Sequence, residues 1–182
     1  VNDIYEPKVS FLADVLKSQG VSAWAVTDIG CGAGHFVAAC EKLEIDCVGY
    51  DTNPQLVHLG NQFLSKNTLH YSELNDINQL ILDINTPVMS LIGVMEHLMD
   101  PIGAMRAFSE NGAEYCYLQV PLFSFSAILE SIHPDVFPRQ LNAGHTHLYT
   151  EQSLKYICDQ FDFEIVGEWW FGTDIVDLFR HM

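Results

Sequence analysis

Three glycines alternate between a strand-like and a helix-like stretch in Asp28-Ile29-Gly30-Cys31-Gly32-Ala33-Gly34-His35-Phe36. Ala25, Val26 and Ile29 supply the apolar strand. Gly30, Gly32 and Gly34 permit positive φ and leave no Cβ between the main chain and a bound molecule. Phe36, Val37 and Cys40 fall at helical spacing, so the free N-terminal amides of that helix point back at the turn. Such a turn reads as the backbone cradle of a nucleotide-type ligand. The dinucleotide fingerprint G-x-G-x-x-G would put glycine where His35 stands, which disfavours an NAD(P)-dependent oxidoreductase. About twenty residues beyond the loop, Cys47-Val48-Gly49-Tyr50 ends in Asp51, where a carboxylate can hydrogen-bond two ribose hydroxyls. Asp51-Thr52-Asn53-Pro54 is also good turn chemistry, so an ordinary turn is the other reading.

The aspartate before the glycines, the acid at Asp51 and the run Glu96-His97-Leu98-Met99-Asp100-Pro101 together resemble class I S-adenosylmethionine-dependent methyltransferases. The Glu-His-Leu-x-x-Pro run is similar to the branch that includes ubiquinone-pathway and sugar-modifying enzymes. One departure is Pro87, which replaces the acidic residue that usually opens that strand; proline is tolerated as a first strand residue. The resemblance implies methyl transfer from S-adenosylmethionine to a small-molecule acceptor, with S-adenosylhomocysteine as product. It assigns Asp28, Gly30, Cys31, Gly32, Gly34, Phe36, Asp51, Thr52, Asp76, Ile77 and Gly93 to the cofactor, with Asp76 toward the adenine amino group. A non-catalytic S-adenosylmethionine-binding domain is the alternative in another class.

His145-Thr146-His147 adds further chemistry. Alternate residues of an extended segment project to one side, which suits a metal pair. A metal also needs a third ligand and usually a carboxylate or cysteine nearby, so no metal is expected. Imidazole titrates near neutral pH and can take the proton of a hydroxyl as it is methylated. His145 is therefore the expected base and His97 its rival, while His133, Arg139 and His147 are expected to contact the acceptor.

The chain has 182 residues and suits one α/β domain. Its formal charge is −16, with eight Lys plus Arg. Nucleic-acid binding needs a basic footprint, and an acidic membrane surface would repel this chain, so neither is expected as a partner. Five cysteines without a C-x-x-C pair argue for a reducing cytoplasm rather than a disulfide framework. Neither a signal peptide nor an apolar run of membrane-spanning length is visible.

Hydrophobic periodicity then supplies the elements that position these residues. A helix carrying Val9, Leu12 and Leu16 precedes a regular alternation: strands at 25–29, 47–51, 69–72, 88–92 and 115–120 are separated by helices, the last opened by Pro101. A helix over 151–160 is introduced by Thr150 as N-cap, and 163–171 reads as a sixth strand. The fold class is a doubly wound, mostly parallel sheet with helices on both faces. After Gly172 only ten helix-like residues remain, so the closing antiparallel strand of the fold is expected to be missing and the chain to be part of a longer one. Residues 121–149, aromatic and histidine-rich, are too long for a plain connection and are expected to form a lid, with a short helix over 124–132 and Phe123 and Phe125 packing down.

Overall fold

The computed structural model describes residues 3–22, 24–73, 77–135, 141 and 144–170. Five parallel strands form one sheet: β1 (Ala25–Ile29), β2 (Asp46–Asp51), β3 (Leu69–Tyr71), β4 (Val88–Ile92) and β5 (Tyr115–Gln119), in the order β3-β2-β1-β4-β5. The helices are α1 (Tyr5–Ser18), α2 (His35–Lys42), α3 (Pro54–Asn61), α4 (Ile77–Asp83), α5 (Pro101–Asn111), α6 (Phe125–Ile132) and α7 (Glu151–Phe161).

The period of two along the strands separates two cores. Met89 and Leu91 of β4, with Cys116 and Leu118 of β5, pack toward α4, α5 and α7. Val88 and Ile92, with Tyr115 and Tyr117, pack toward α1 and α2, where Val9, Leu12, Leu16, Phe36 and Val37 are buried. Both faces being covered is what an all-parallel sheet requires, because its strands cannot leave one face to water. The chain order reverses direction between β1 and β4, so a crevice opens at their carboxyl ends.

Helix starts follow the local chemistry. Asn53 and Asp100 cap α3 and α5 with side-chain oxygens, each ahead of a proline in the first turn. Thr150 forms a capping box with Ser153, at 3.0 Å and 2.8 Å for the two reciprocal bonds. Pro87 keeps its place beside the sheet, its carbonyl accepting from Glu114 and Tyr115 amides at 3.0 Å.

Two expectations are corrected. Residues 163–170 form no strand with a ladder partner among the described residues, and Phe163 makes ring contacts to Phe108 and Phe161 at 5.4 and 5.6 Å. Phe171 and the helix-like end lie outside the described residues. Phe123 and Phe125 do not pack down either; they are 53% and 56% exposed. The buried face of α6 is Ala127 and Glu130, three apart, and Phe125 sits about 200° around the helix from Ala127.

Candidate active site

A cavity of about 230 Å³ occupies the crevice. Its walls include Ile29 and Gly30 at the end of β1, Tyr50, Asp51 and Thr52 at the end of β2, Ser72 and Glu73 after β3, Ile77 and Leu80 of α4, and Gly93, Val94, His97 and Leu98 after β4. Gly30 and Gly93, at the ends of the two strands that flank the switch point, have φ of +75° and +69°. A side chain on Gly30 would run into Val94, so the wall cannot thicken there. The Gly32 amide donates to Asp51 Oδ2 at 2.7 Å and the Asn53 amide to Oδ1 at 2.8 Å. The carboxylate is thus clamped from both sides while its remaining lone pairs stay open to the cavity. Apolar walls that admit a flat ring, one fixed acid and a main chain without Cβ fit an adenosine-type ligand.

The sequence-predicted cofactor residues divide accordingly. Gly30, Asp51, Thr52, Ile77 and Gly93 line the cavity. Gly32 orients Asp51, and Gly34, at φ +75°, caps α2. Phe36 stands in the core instead, 2% exposed and 6.1 Å from the Tyr117 ring, because it is the second residue of α2 and faces the sheet. Asp28 is likewise beneath the loop rather than in the wall: Ser90 Oγ donates to it at 2.6 Å, and burial pushes its carboxyl up to about 7. Burial also pushes the Cys31 thiol up, the neighbouring Asp28 and Asp51 charges adding to it, so that sulfur stays protonated. Lys8, 6% exposed on α1, has its ammonium 4.7 Å from the Tyr5 ring centroid, and burial lowers its pKa. Asp76 lies outside the described residues.

At the far end of the cavity a 3₁₀ turn, Met95–His97, sets Glu96 and His97 side by side. The segment 144–149 folds onto it. Thr146 and His147 amides donate to the Glu96 carbonyl at 2.8 and 3.2 Å, and Thr146 Oγ1 donates to the same carbonyl at 2.9 Å. The Tyr149 hydroxyl donates to the Met95 carbonyl at 3.0 Å. These bonds bring the His145 ring to 4.8 Å from the His97 ring, edge to face. Glu96 is 4% exposed, and its Oε2 and the Nδ1 of His145 are both enclosed without a hydrogen-bond partner among the described residues.

The two predicted catalytic histidines therefore meet, and Glu96 joins them. Its signal was its place beside His97; what hid its role was that a surface turn residue and a buried one look alike in sequence. His145 and His147 do not pair: His147 Nδ1 lies 2.8 Å from Thr146 Oγ1, and its ring lies near Tyr149. His133 is exposed at the C-cap of α6, outside the cavity wall, and Arg139 lies outside the described residues. No described residue of 121–149 lines the cavity itself. The ends of that segment are joined, the Phe123 amide donating to the Tyr149 carbonyl at 2.6 Å.

A family described as a methyltransferase domain matches residues 3–168. The chain belongs to that methyltransferase family. The fold and enzyme class expected from the glycine loop and the Glu-His-Leu run are thereby borne out. Among solved structures, a SAM-dependent methyltransferase from Archaeoglobus fulgidus is similar with a TM-score of 0.60 at 18% identity, over 90% of this chain and 70% of that one. The magnesium protoporphyrin IX methyltransferase of Synechocystis PCC 6803, solved with bound SAH, is similar with a TM-score of 0.62 at 13% identity, over 86% of this chain and 72% of that one. No curated protein matches the sequence. No helix among the described residues of this methyltransferase domain is long and apolar enough to cross a membrane.

Proposed function

We propose that this domain transfers the methyl group of S-adenosylmethionine to a small-molecule acceptor that enters beside His97, in the cytoplasm and without a nucleic-acid partner. The observation that carries the proposal is the joining of two built features. Gly30 and Asp51 wall a single cavity, and His97 of the Glu96–His97–His145 cluster walls the same cavity beside Gly93. When bound, the cofactor supplies an already activated methyl group, so little covalent help is asked of the protein. Asp51 holds the ribose, Gly30 and Gly93 let the ligand lie against the main chain, and Ile77 with Leu80 flanks the adenine. The cluster orients the acceptor and eases loss of its proton, and the close placement of the two ligands supplies most of the rate. The acidity of the chain, at a formal −16, supports a small molecule rather than a polyanionic acceptor.

Calorimetry with S-adenosylmethionine and S-adenosylhomocysteine should show binding in the micromolar range, with NADH failing. A methyl-release screen on sugars, quinols and small amines then identifies the acceptor. Binding of NADH in place of either adenosyl ligand would overturn the reading. Adenosyl binding without turnover on the intact protein would select the non-catalytic alternative.

A further inference from the structure

We infer that Glu96, His97 and His145 form a binding site for one divalent first-row transition cation. One donor atom from each lies within 4.8 Å of the other two, and the three burials grade from enclosed to open: Glu96 buried, His145 partly buried, His97 exposed. Sequence reasoning excluded a metal because the His145–His147 pair lacked a third ligand and a carboxylate. Folding supplies both, replacing His147 by His97 and adding Glu96.

Three observations point to a ligand there rather than to a structural cluster. A buried carboxylate oxygen and a buried ring nitrogen, Glu96 Oε2 and His145 Nδ1, have no hydrogen-bond partner among the described residues. Buried polar atoms are ordinarily paired, and a charged oxygen left alone is the more costly case. A cation shared between them satisfies both at once. Second, His97 Nδ1 lies 3.2 Å from the Gly144 carbonyl, which can only accept. Nδ1 therefore carries the hydrogen and Nε2 the free lone pair, the arrangement by which metal-ligating histidines are held. Third, the backbone around the cluster is fastened before any ion arrives, by the Thr146 and Tyr149 bonds to the 3₁₀ turn.

The donor set indicates the class of ion. Two imidazoles and one carboxylate suit zinc and its first-row neighbours, whereas magnesium and calcium take all-oxygen shells. Donors about 2.1 Å from a tetrahedral zinc lie roughly 3.4 Å apart, so side-chain rotation alone closes the cluster around the ion. Three protein ligands leave at least one coordination position open. His97 is in the cavity wall, so that position faces the acceptor. There the ion lowers the pKa of a coordinated acceptor hydroxyl, whose proton leaves to water. This deepens the methyl-transfer reading and rests on it for the identity of the acceptor group, a hydroxyl.

The test uses the whole protein stripped with a chelator and then titrated with Zn²⁺ alone by calorimetry, with Co²⁺ absorption as a second readout. One ion should bind, with the Co²⁺ visible bands of a nitrogen-and-oxygen site. Glu96→Gln and His145→Ala should each weaken binding at least tenfold, while His58→Ala, a surface imidazole of α3, should not. His145→Ala, in a partly exposed segment, keeps the test decisive if Glu96→Gln fails to fold. Wild-type binding no tighter than His145→Ala, or unchanged by both variants, would overturn the inference. S-adenosylhomocysteine titrated into the stripped protein separates the two readings: cofactor binding without Zn²⁺ binding sinks the metal site and leaves methyl transfer standing.

Discussion

The two ends of the cavity are held by different kinds of bond. The cofactor end is made of strand termini and a glycine turn, where main chain without Cβ forms part of the wall and the Asp51 carboxylate is clamped by Gly32 and Asn53 amides. The acceptor end is made of side chains brought together from the 3₁₀ turn and from the segment 144–149, through bonds onto the Glu96 and Met95 carbonyls. The first is held by the sheet's own strand order. The second depends on a long connection returning to the right place. Changes at one end should therefore alter cofactor affinity and at the other acceptor turnover, with little crossing over.

His145→Ala is the largest expected effect. Turnover should fall about 10²-fold or more while S-adenosylhomocysteine affinity stays nearly intact, because the role proposed for the residue is on the acceptor alone. Full activity in that variant would remove the acceptor end from catalysis.

At the cofactor end, Asp51→Ala should weaken S-adenosylhomocysteine binding by about 1.5–3 kcal/mol, the range for hydrogen bonds to a charged group. An unchanged affinity by calorimetry would take Asp51 out of the ribose role. Gly30→Ala and Gly32→Ala sharpen the same contrast. Both residues have positive φ, +75° and +56°, which costs an L-residue about 1–2 kcal/mol. Only Gly30 also faces a collision, with Val94, whereas the space at Gly32 is open. In urea denaturation Gly30→Ala should be the less stable of the two; equal losses would mean that φ strain alone decides.

Smaller effects are expected from Thr146 and Asp28. Thr146→Val keeps the shape but loses the hydroxyl bonds to the Glu96 and Leu98 carbonyls, so the acceptor KM should rise severalfold with cofactor affinity unmoved. For Asp28, burial raises the folded carboxyl from 3.8 to about 7, so the folded state binds its proton more tightly than the unfolded chain. Stability from this group is full at pH below about 4 and declines as pH rises to about 7. Asp28→Asn should remove that decline, so the variant's Tm gains on wild type between those pH values. Parallel Tm curves would show that Asp28 stays ionised in the fold.

The legible part of this molecule is the part whose physics is local. The strand at Val88–Ile92 and the start of the helix at Pro101 were readable to the residue, because an apolar run marks a buried strand and Asp-Pro starts a helix by capping and fixed φ. Gly30, Asp51, Thr52, Ile77 and Gly93 were assigned together by the resemblance, and the structure lines one cavity with them because a parallel sheet gathers all its carboxyl ends on one edge. Residues 163–170 misled because alternating aromatics have the same pattern whether they pair as a strand or rest on helix α5 through Phe108. Phe125 misled because an aromatic near a site says nothing about which side of an eight-residue helix is buried.

What the sequence by itself determined is the fold and the cofactor end: patterning within five to ten residues selects each element, and alternation of the two kinds leaves a parallel, doubly covered sheet. Tertiary structure alone decided the acceptor end. Whether His145 meets His147 or His97, and whether Glu96 faces water or the cluster, turns on hydrogen bonds from Thr146 and Tyr149 to carbonyls 50 and 54 residues away in the chain. Those partners share no period, spacing or composition with the residues they hold, because a backbone carbonyl is present in every residue and its availability exists only once the chain has folded.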